Sequence, residues 1–369
     1  MRTRTMLSAL AVSLSVAGAT MAAGHTVATA VPARPDTGKL KLNQDFADPG
    51  IIKGEDGHYY AFSTQYHQDS HVPMARSKTP DATGDWELQV DVTGRRLDAL
   101  PDAGPWTQAD PVLWAPDVTP RPGGGYLMLY AAVSSGTGEH CIGWATADHV
   151  GPGFSFTAQG DRPLICPADN RGVIDPSVFV DTDGSRYLLY KTEPTFSADP
   201  AAQVPSRIFL QKFTDNGPAG LALDGEPTLL LEADTPFELP EQGQLEAPSL
   251  VHHGGHYVLF YSGGWFNNPT YFTGFAMSTE LTTGYQKSST KLLDSDVSAA
   301  HGPGKRLRDG CVPGSADLLS GPGGATVLPD GDYIAYHGIL ECASDGDVKT
   351  RGLYLERMTW SAEDVPGIA

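Results

Sequence analysis

Three carboxylates in this sequence stand beside a proline in similar surroundings: Phe46-Ala47-Asp48-Pro49, Val173-Ile174-Asp175-Pro176-Ser177 and Leu245-Glu246-Ala247-Pro248-Ser249. Carboxyl groups that share one site can divide acid and base work between them. Cleavage of a glycosidic bond needs one protonated carboxyl to donate to the leaving oxygen and one ionised carboxylate to activate water or attack the sugar. A third carboxylate nearby raises the acid's pKa by like-charge repulsion and helps to orient it. Asp48, Asp175 and Glu246 fit that scheme in number and type, and Glu246, the longest, is suited to reach a leaving group. One Asp before a proline is ordinarily a turn residue. Three in matching surroundings imply a shared purpose.

What brings distant residues together is an internal repeat, which decides architecture before any other feature. Asp48-Pro49-Gly50-Ile51-Ile52 leads through Glu55-Asp56-Gly57 to Tyr59-Tyr60-Ala61-Phe62. Trp114-Ala115-Pro116-Asp117-Val118 leads through Gly123-Gly124-Gly125 to Tyr126-Leu127-Met128-Leu129-Tyr130. Asp175-Pro176 leads through Asp183-Gly184 to Tyr187-Leu188-Leu189-Tyr190, and Glu246-Ala247-Pro248 through Gly254-Gly255 to Tyr257-Val258-Leu259-Phe260-Tyr261. A looser copy runs from Pro322-Gly323-Gly324 through Asp330-Gly331 to Tyr333-Ile334-Ala335-Tyr336-His337. Each copy reads as two β-strands joined by a tight turn. The spacing leaves room for two further strands, for which Cys141–Thr146, Arg207–Lys212, Thr273–Ser278 and Gly352–Arg357 supply candidates. Apolar periodicity near two dominates and no clear amphipathic helix appears. The expected fold is all-β, a five-bladed β-propeller of four-stranded antiparallel blades. The start of every copy then converges on one central funnel, with Asp48, Asp175 and Glu246 at equivalent positions and Asp117 one position later.

Residues 1–30 read as a secretory signal: Arg2 and Arg4, an apolar run from Leu7 to Ala19, and Ala28-Thr29-Ala30 as a cleavage site. Residues 31–42 read as a linker, 43–361 as one catalytic domain and 362–369 as a C-terminal tail. The formal net charge of −19 repels phosphate backbones, so nucleic acid is excluded as a partner. No apolar run is long enough to span a membrane. Export makes the four cysteines disulfide candidates, and the local pairs Cys141–Cys166 and Cys311–Cys342 are preferred. No CxxC spacing points to zinc. Other hydrolase signatures, such as a Gly-x-Ser-x-Gly elbow or His-Glu-x-x-His, are missing from the sequence.

The three carboxylate motifs together resemble glycoside hydrolase family 43, over nearly the whole chain from about residue 43 to 361. The resemblance implies a five-bladed propeller and an inverting mechanism. It implies Asp48 as general base, Glu246 as general acid and Asp175 as the residue that tunes and orients the acid. It also implies arabinose- or xylose-containing plant cell-wall polysaccharides or oligosaccharides as substrates. His337 matches a histidine that the family places near the funnel axis beside a metal or water cluster. Arg351 resembles an arginine that reaches toward substrate, and His337 and Arg351 are both substrate-binding candidates on that resemblance. Gly324 stands where many members carry a histidine, which puts a metal at that point in doubt. A structural calcium near the axis stays open, without an EF-hand-like loop to support it, and the chemistry requires no cofactor.

Trp114 and Trp265 are candidates to stack on sugar rings, with Phe266 and Trp106 nearby in sequence. The long segments 64–112 and 262–272 could wall off one end of a cleft, so the expectation is a secreted, exo-acting α-L-arabinofuranosidase or β-xylosidase. The alternatives are an endo-arabinanase on the same fold and a non-catalytic carbohydrate-binding propeller. A binding propeller would be expected to lack one of the carboxylates. Retaining fructan-active propellers carry Asn-Asp-Pro and Arg-Asp-Pro, whereas this chain has Ala47-Asp48-Pro49 and Ile174-Asp175-Pro176.

Overall fold

The Tyr-rich segments are deeply buried strands, and their apolar character is continuous where a half-buried strand would alternate. Tyr126–Val133 is buried along its length except at Val133, and Tyr333–Ile339 is buried throughout. Such runs suit strands covered on both faces. The computed structural model describes residues 40–65, 70–80, 85–167, 171–195, 203–239, 243–295, 319–340 and 350–369.

Strand β1 (Leu40–Leu42) begins the described chain. The first blade is β2 (Gly50–Lys53), β3 (Tyr59–Phe62), β4 (Met74–Ser77) and β5 (Glu87–Leu88). The second is β6 (Trp114–Pro120), β7 (Tyr126–Val133), β8 (His140–Ala147) and β9 (Thr157–Ala158). The third is β10 (Val173–Val180), β11 (Arg186–Thr192), β12 (Arg207–Asp215) and β13 (Leu221–Glu232). The fourth is β14 (Leu245–His253), β15 (His256–Gly263), β16 (Phe272–Ser278) and β17 (Gln286–Lys287). The fifth takes β18 (Gly323–Val327), β19 (Tyr333–Ile339) and β20 (Arg351–Trp360) from the end of the chain and β1 from its beginning. A short strand β21 (Pro366–Ile368) also pairs with β20. All pairings are antiparallel, so the fold is the five-bladed propeller of four-stranded sheets that the repeat implied.

The core is divided among the blade interfaces. One apolar cluster lies between each pair of neighbours: Tyr60 and Met74 with Met128 and Tyr130; Leu129 and Ile142 with Leu188; Leu189 and Leu210 with Leu259 and Phe272; Phe260 with Ile334 and Tyr336; Ala335 and Leu353 with Ile51 and Ala61. Each tyrosine-bearing second strand thus serves two interfaces. The innermost strands β2, β6, β10, β14 and β18 touch in ring order, and β18 closes back onto β2. Gly50 is required for this closure: a Cβ there would sit 2.1 Å from the Pro116 carbonyl oxygen of the next inner strand.

Two boundaries lie further out than the sequence implied. Leu40 and Leu42, expected in a linker, pair with Tyr354 and Leu353, and Pro366–Ile368, expected in a tail, pairs with Met358–Trp360. Three-residue strands are too short to announce themselves by periodicity. The Cys141–Cys166 disulfide is present, tying β8 to the loop after β9. Cys311, Cys342 and the signal-like segment lie outside the described residues. Among those described, no helix is long and apolar enough to cross a membrane.

Candidate active site

Every copy of the repeat makes the same backbone excursion at its start. Asp48, Ala115, Asp175, Ala247 and Gly324 have φ of 49°, 44°, 54°, 48° and 59°, in the left-handed region that residues with a Cβ seldom occupy. In four blades the ladder slips at this point, between Trp114 and Asp117, Ile174 and Ser177, Glu246 and Ser249, and Gly323 and Thr326. Proline cannot donate to a ladder and so belongs at such a bulge. The bulge turns the chain at the mouth of the funnel. It also corrects the expected register. Asp48 and Asp175 are equivalent, but Ala247 occupies their position in the fourth blade, and Glu246 stands one residue earlier. Asp117 lies two residues past its own blade's turn, at Ala115.

Asp48 is held as an anion. Thr64 Oγ1 donates to its Oδ2 at 2.7 Å, and an Arg351 guanidinium nitrogen lies 3.4 Å from its Oδ1. The Asp48 amide donates to His337 Nδ1 at 3.1 Å. Burial by itself would raise the Asp48 pKa, but the Arg351 guanidinium, with the Thr64 hydroxyl beside it, outweighs it and holds the carboxyl well below the usual range. Burial, followed by the Arg351 charge, depresses the His337 imidazole, so the ring is neutral. His337 is fully buried behind Asp48 and stacks on Tyr271 with centroids 5.5 Å apart. It supports the carboxylate from below and takes no place in the cleft wall, where it had been expected to meet substrate. The space it fills explains Gly324: a Cβ there would lie 2.5 Å from His337 Nδ1 and 2.6 Å from Asp48 Oδ1.

Asp175 and Glu246 form the opposite wall. Asp175 Oδ2 accepts from the Ala247 amide at 2.9 Å, fixing the peptide that follows Glu246. Burial, with the Glu246 charge next, pushes the Asp175 pKa up to about 7. Glu246 accepts at both oxygens, from Lys191 Nζ at 2.8 Å and from the Tyr271 hydroxyl at 3.0 Å. Neither Lys191 nor Tyr271 stood out in the sequence. Lys191 carried a usable signal, since it interrupts the buried strand Arg186–Thr192 with a charge.

Asp48, Asp175 and Glu246 share one cleft with Trp114, Trp265, Phe266, Tyr271, Lys191 and Arg351. Its volume is about 1140 Å³, with the open mouth included. Trp114 packs on His140 at 4.1 Å on the blade-two side, while Trp265 and Phe266 come from the loop after β15, with Phe266 over the Arg351 guanidinium at 5.1 Å. Segments 64–112 and 262–272 both reach the walls, through Thr64, Gln65 and Val112 and through Trp265, Phe266 and Tyr271. Trp106 does not: it is buried against Tyr130 in the interface of blades one and two. Beneath the cleft, an axial cavity of about 300 Å³ is lined by residues at all five of these turns. There Asp117 accepts from the Val178 amide of the next blade at 2.9 Å, and burial raises its pKa to about 6. Among the described residues no three His, Cys, Asp or Glu side chains are grouped to hold a metal ion.

The sequence model of glycosyl hydrolases family 43 matches residues 41–366. A curated relative from Aspergillus flavus, named probable arabinan endo-1,5-alpha-L-arabinosidase C, is 27% identical over 319 residues, covering 85% of this chain and 88% of its own. The crystal structure of a thermostable family-43 glycoside hydrolase aligns with a TM-score of 0.65 at 23% identity, over 88% of this chain and 93% of its own. An alpha-L-arabinofuranosidase from Lactobacillus brevis aligns with a TM-score of 0.64 at 21% identity, over 89% and 94%. At these identities the two solved structures establish likeness of fold.

Proposed function

The chain belongs to family 43 of the glycosyl hydrolases, inverting enzymes whose hydrolysis needs no cofactor, and on that premise we propose that it is an exported arabinanase cutting α-1,5-linked arabinan within the chain. The observation that carries this reading is the convergence of Asp48, Asp175 and Glu246 on one aromatic-walled cleft. Asp48, kept ionised by Arg351, takes a proton from the water that attacks the anomeric carbon. Glu246 protonates the leaving oxygen. Asp175 orients Glu246 through the Ala247 amide and, held partly protonated by burial, supports a proton on the pair. Trp114 and Trp265 offer faces for sugar rings on two different walls, and Arg351 borders the ring cleaved.

Internal cutting is supported by the near full-length match to a relative named as an endo-arabinosidase, and by aromatic residues on separate walls of an open cleft. The exo-acting arabinofuranosidase or β-xylosidase is the second reading, favoured by the entry of segments 64–112 and 262–272 into the walls. A binding-only propeller has less support, because all three carboxylates are kept with distinct environments. Export is supported by the signal-like first thirty residues and by the Cys141–Cys166 disulfide.

The test compares wild type, Asp48→Asn and Glu246→Gln on linear arabinan, an aryl α-L-arabinofuranoside and an aryl β-D-xyloside. Wild type should release short arabinan oligomers early, and each variant should lose about 100- to 10,000-fold on arabinan. Glu246→Gln should lose least on the aryl glycoside, whose leaving group needs little protonation. Monomer as the sole early product would replace the endo reading with the exo one. Full activity of Asp48→Asn would remove the base assignment.

A further inference from the structure

One buried cation in the cleft has no part in the reaction as described so far. Lys191 lies in β11 opposite Ile174, the neighbour of Asp175, and its side chain is 2% exposed. Its Nζ donates to Glu246 Oε1 at 2.8 Å and lies 3.5 Å from Gln244 Oε1. Asp175 and Glu193 are the other acidic groups acting on it. Glu193 is itself paired with His140 at 3.1 Å. The far oxygen of Glu246 takes the Tyr271 hydroxyl, and across the cleft Asp48 is matched by Arg351 above the neutral His337.

Burying an ammonium is expensive unless the site needs its charge, and an apolar side chain of similar length would pack at less cost. Burial alone would discharge Lys191, but Glu246 and Asp175 outweigh it and raise its pKa, so it is a cation. The charge balance then follows. With Lys191 charged, the buried group of Lys191, Asp175 and Glu246 is neutral when the two carboxyls share one proton. Low dielectric favours that state. It is also the state the reaction requires, since Glu246 must have a proton to give. Without the ammonium, the neutral state would hold two protons.

We propose that Lys191 is a positioning residue that holds Glu246 through Oε1 and fixes at one the number of protons shared by Asp175 and Glu246. The inference rests on Glu246 being the acid. Lys191 contacts neither water nor leaving group in this role; it acts through the carboxyl it holds.

The experiment is the pH dependence of kcat on linear arabinan for wild type, Lys191→Met and Lys191→Arg. Loss of the cation lets the pair keep its proton to higher pH, so the alkaline limb of Lys191→Met should move up by about one unit or more. Lys191→Arg keeps the charge but not the geometry. Its limb should stay within about 0.3 unit of wild type, inside the spread a small change in charge distance gives, while kcat falls about tenfold with KM little changed. A folded Lys191→Met whose alkaline limb coincides with that of wild type overturns the proposal. Should that variant not fold, the wild type decides. The infrared carboxyl band lost in the Asp175→Asn/Glu246→Gln double variant counts the protons held about one pH unit or more below neutral, on the acid side of the Asp175 titration. One proton supports the proposal, and none or two refutes it. The proton count needs no substrate, so it stands even if wild type leaves arabinan uncut, an outcome that would sink the functional reading instead.

Discussion

Arg351 determines how far into acid the Asp48 carboxylate survives. Asp48 is buried, which favours its protonated form, and the guanidinium 3.4 Å away reverses that preference. A base works ionised, so a depressed pKa keeps activity present down to low pH and loses it only as the pH falls through the depressed value. Arg351→Met should raise the Asp48 pKa and move the acidic limb of kcat/KM up by about 1–3 units, the range for loss of a close opposite charge. An acidic limb that stays in place, in a folded variant, would show that Arg351 does not govern the base. The three carboxylates themselves were legible because a proline follows each within two residues. Their partners were not. Lys191 reaches the site from a second strand, and Thr64 and Tyr271 from loops, where nothing in the local pattern separates a cleft residue from a core one.

At the scale of elements, the left-handed turn at the head of each inner strand does the positioning. A left-handed conformation in a residue with a Cβ costs about 1–3 kcal/mol, and the chain accepts it at Asp48, Ala115, Asp175 and Ala247. The fifth turn has Gly324 instead, and its reason is space as much as conformation. Gly324→Ala should displace His337 or Asp48 by several tenths of an ångström and lower kcat about 10- to 100-fold, the scale of a misplaced catalytic group. A Gly324→Ala enzyme with wild-type kcat would mean that Asp48 needs no support from below. The repeat was readable from its prolines and tyrosines. The one-residue offset of Glu246 was readable too, had the copies been aligned on Pro248 and not on the carboxylate. The strain that makes the proline register matter has no signature in residue type, because Asp, Ala and Gly all occupy the turn.

For the whole molecule, stability is spread over five blade interfaces, and the interface between the fifth and first blades depends on β1. Leu42 is 5% exposed and belongs to that interface. Leu42→Ala should cost about 2–5 kcal/mol and lower the thermal midpoint, as burial in a packed interface implies. Val92→Ala, at a fully exposed position, should stay within about 0.5 kcal/mol. Equal midpoints for the two would mean that β1 is dispensable to the ring. Two leucines around a lysine, close after a leader-like segment, carry too little pattern to reveal this role, and only the open edge of β20 gives them one.

The pairing of Leu40 with Tyr354 sets an order of events for the newborn polypeptide. The first strand leaves the ribosome more than three hundred residues before its partner does. Joining ends so far apart in a free chain costs about 5 kcal/mol in loop entropy before any contact repays it. Any blade that forms earlier would shorten that gap, yet the ring stays open, with the edge of β20 bare, until β1 and β20 are both free to pair. In a protein exported through a narrow pore, that condition would be met only after β20 had crossed. Maturation would then be completed outside the cell, and a brake on closure would keep the chain threadable until that moment.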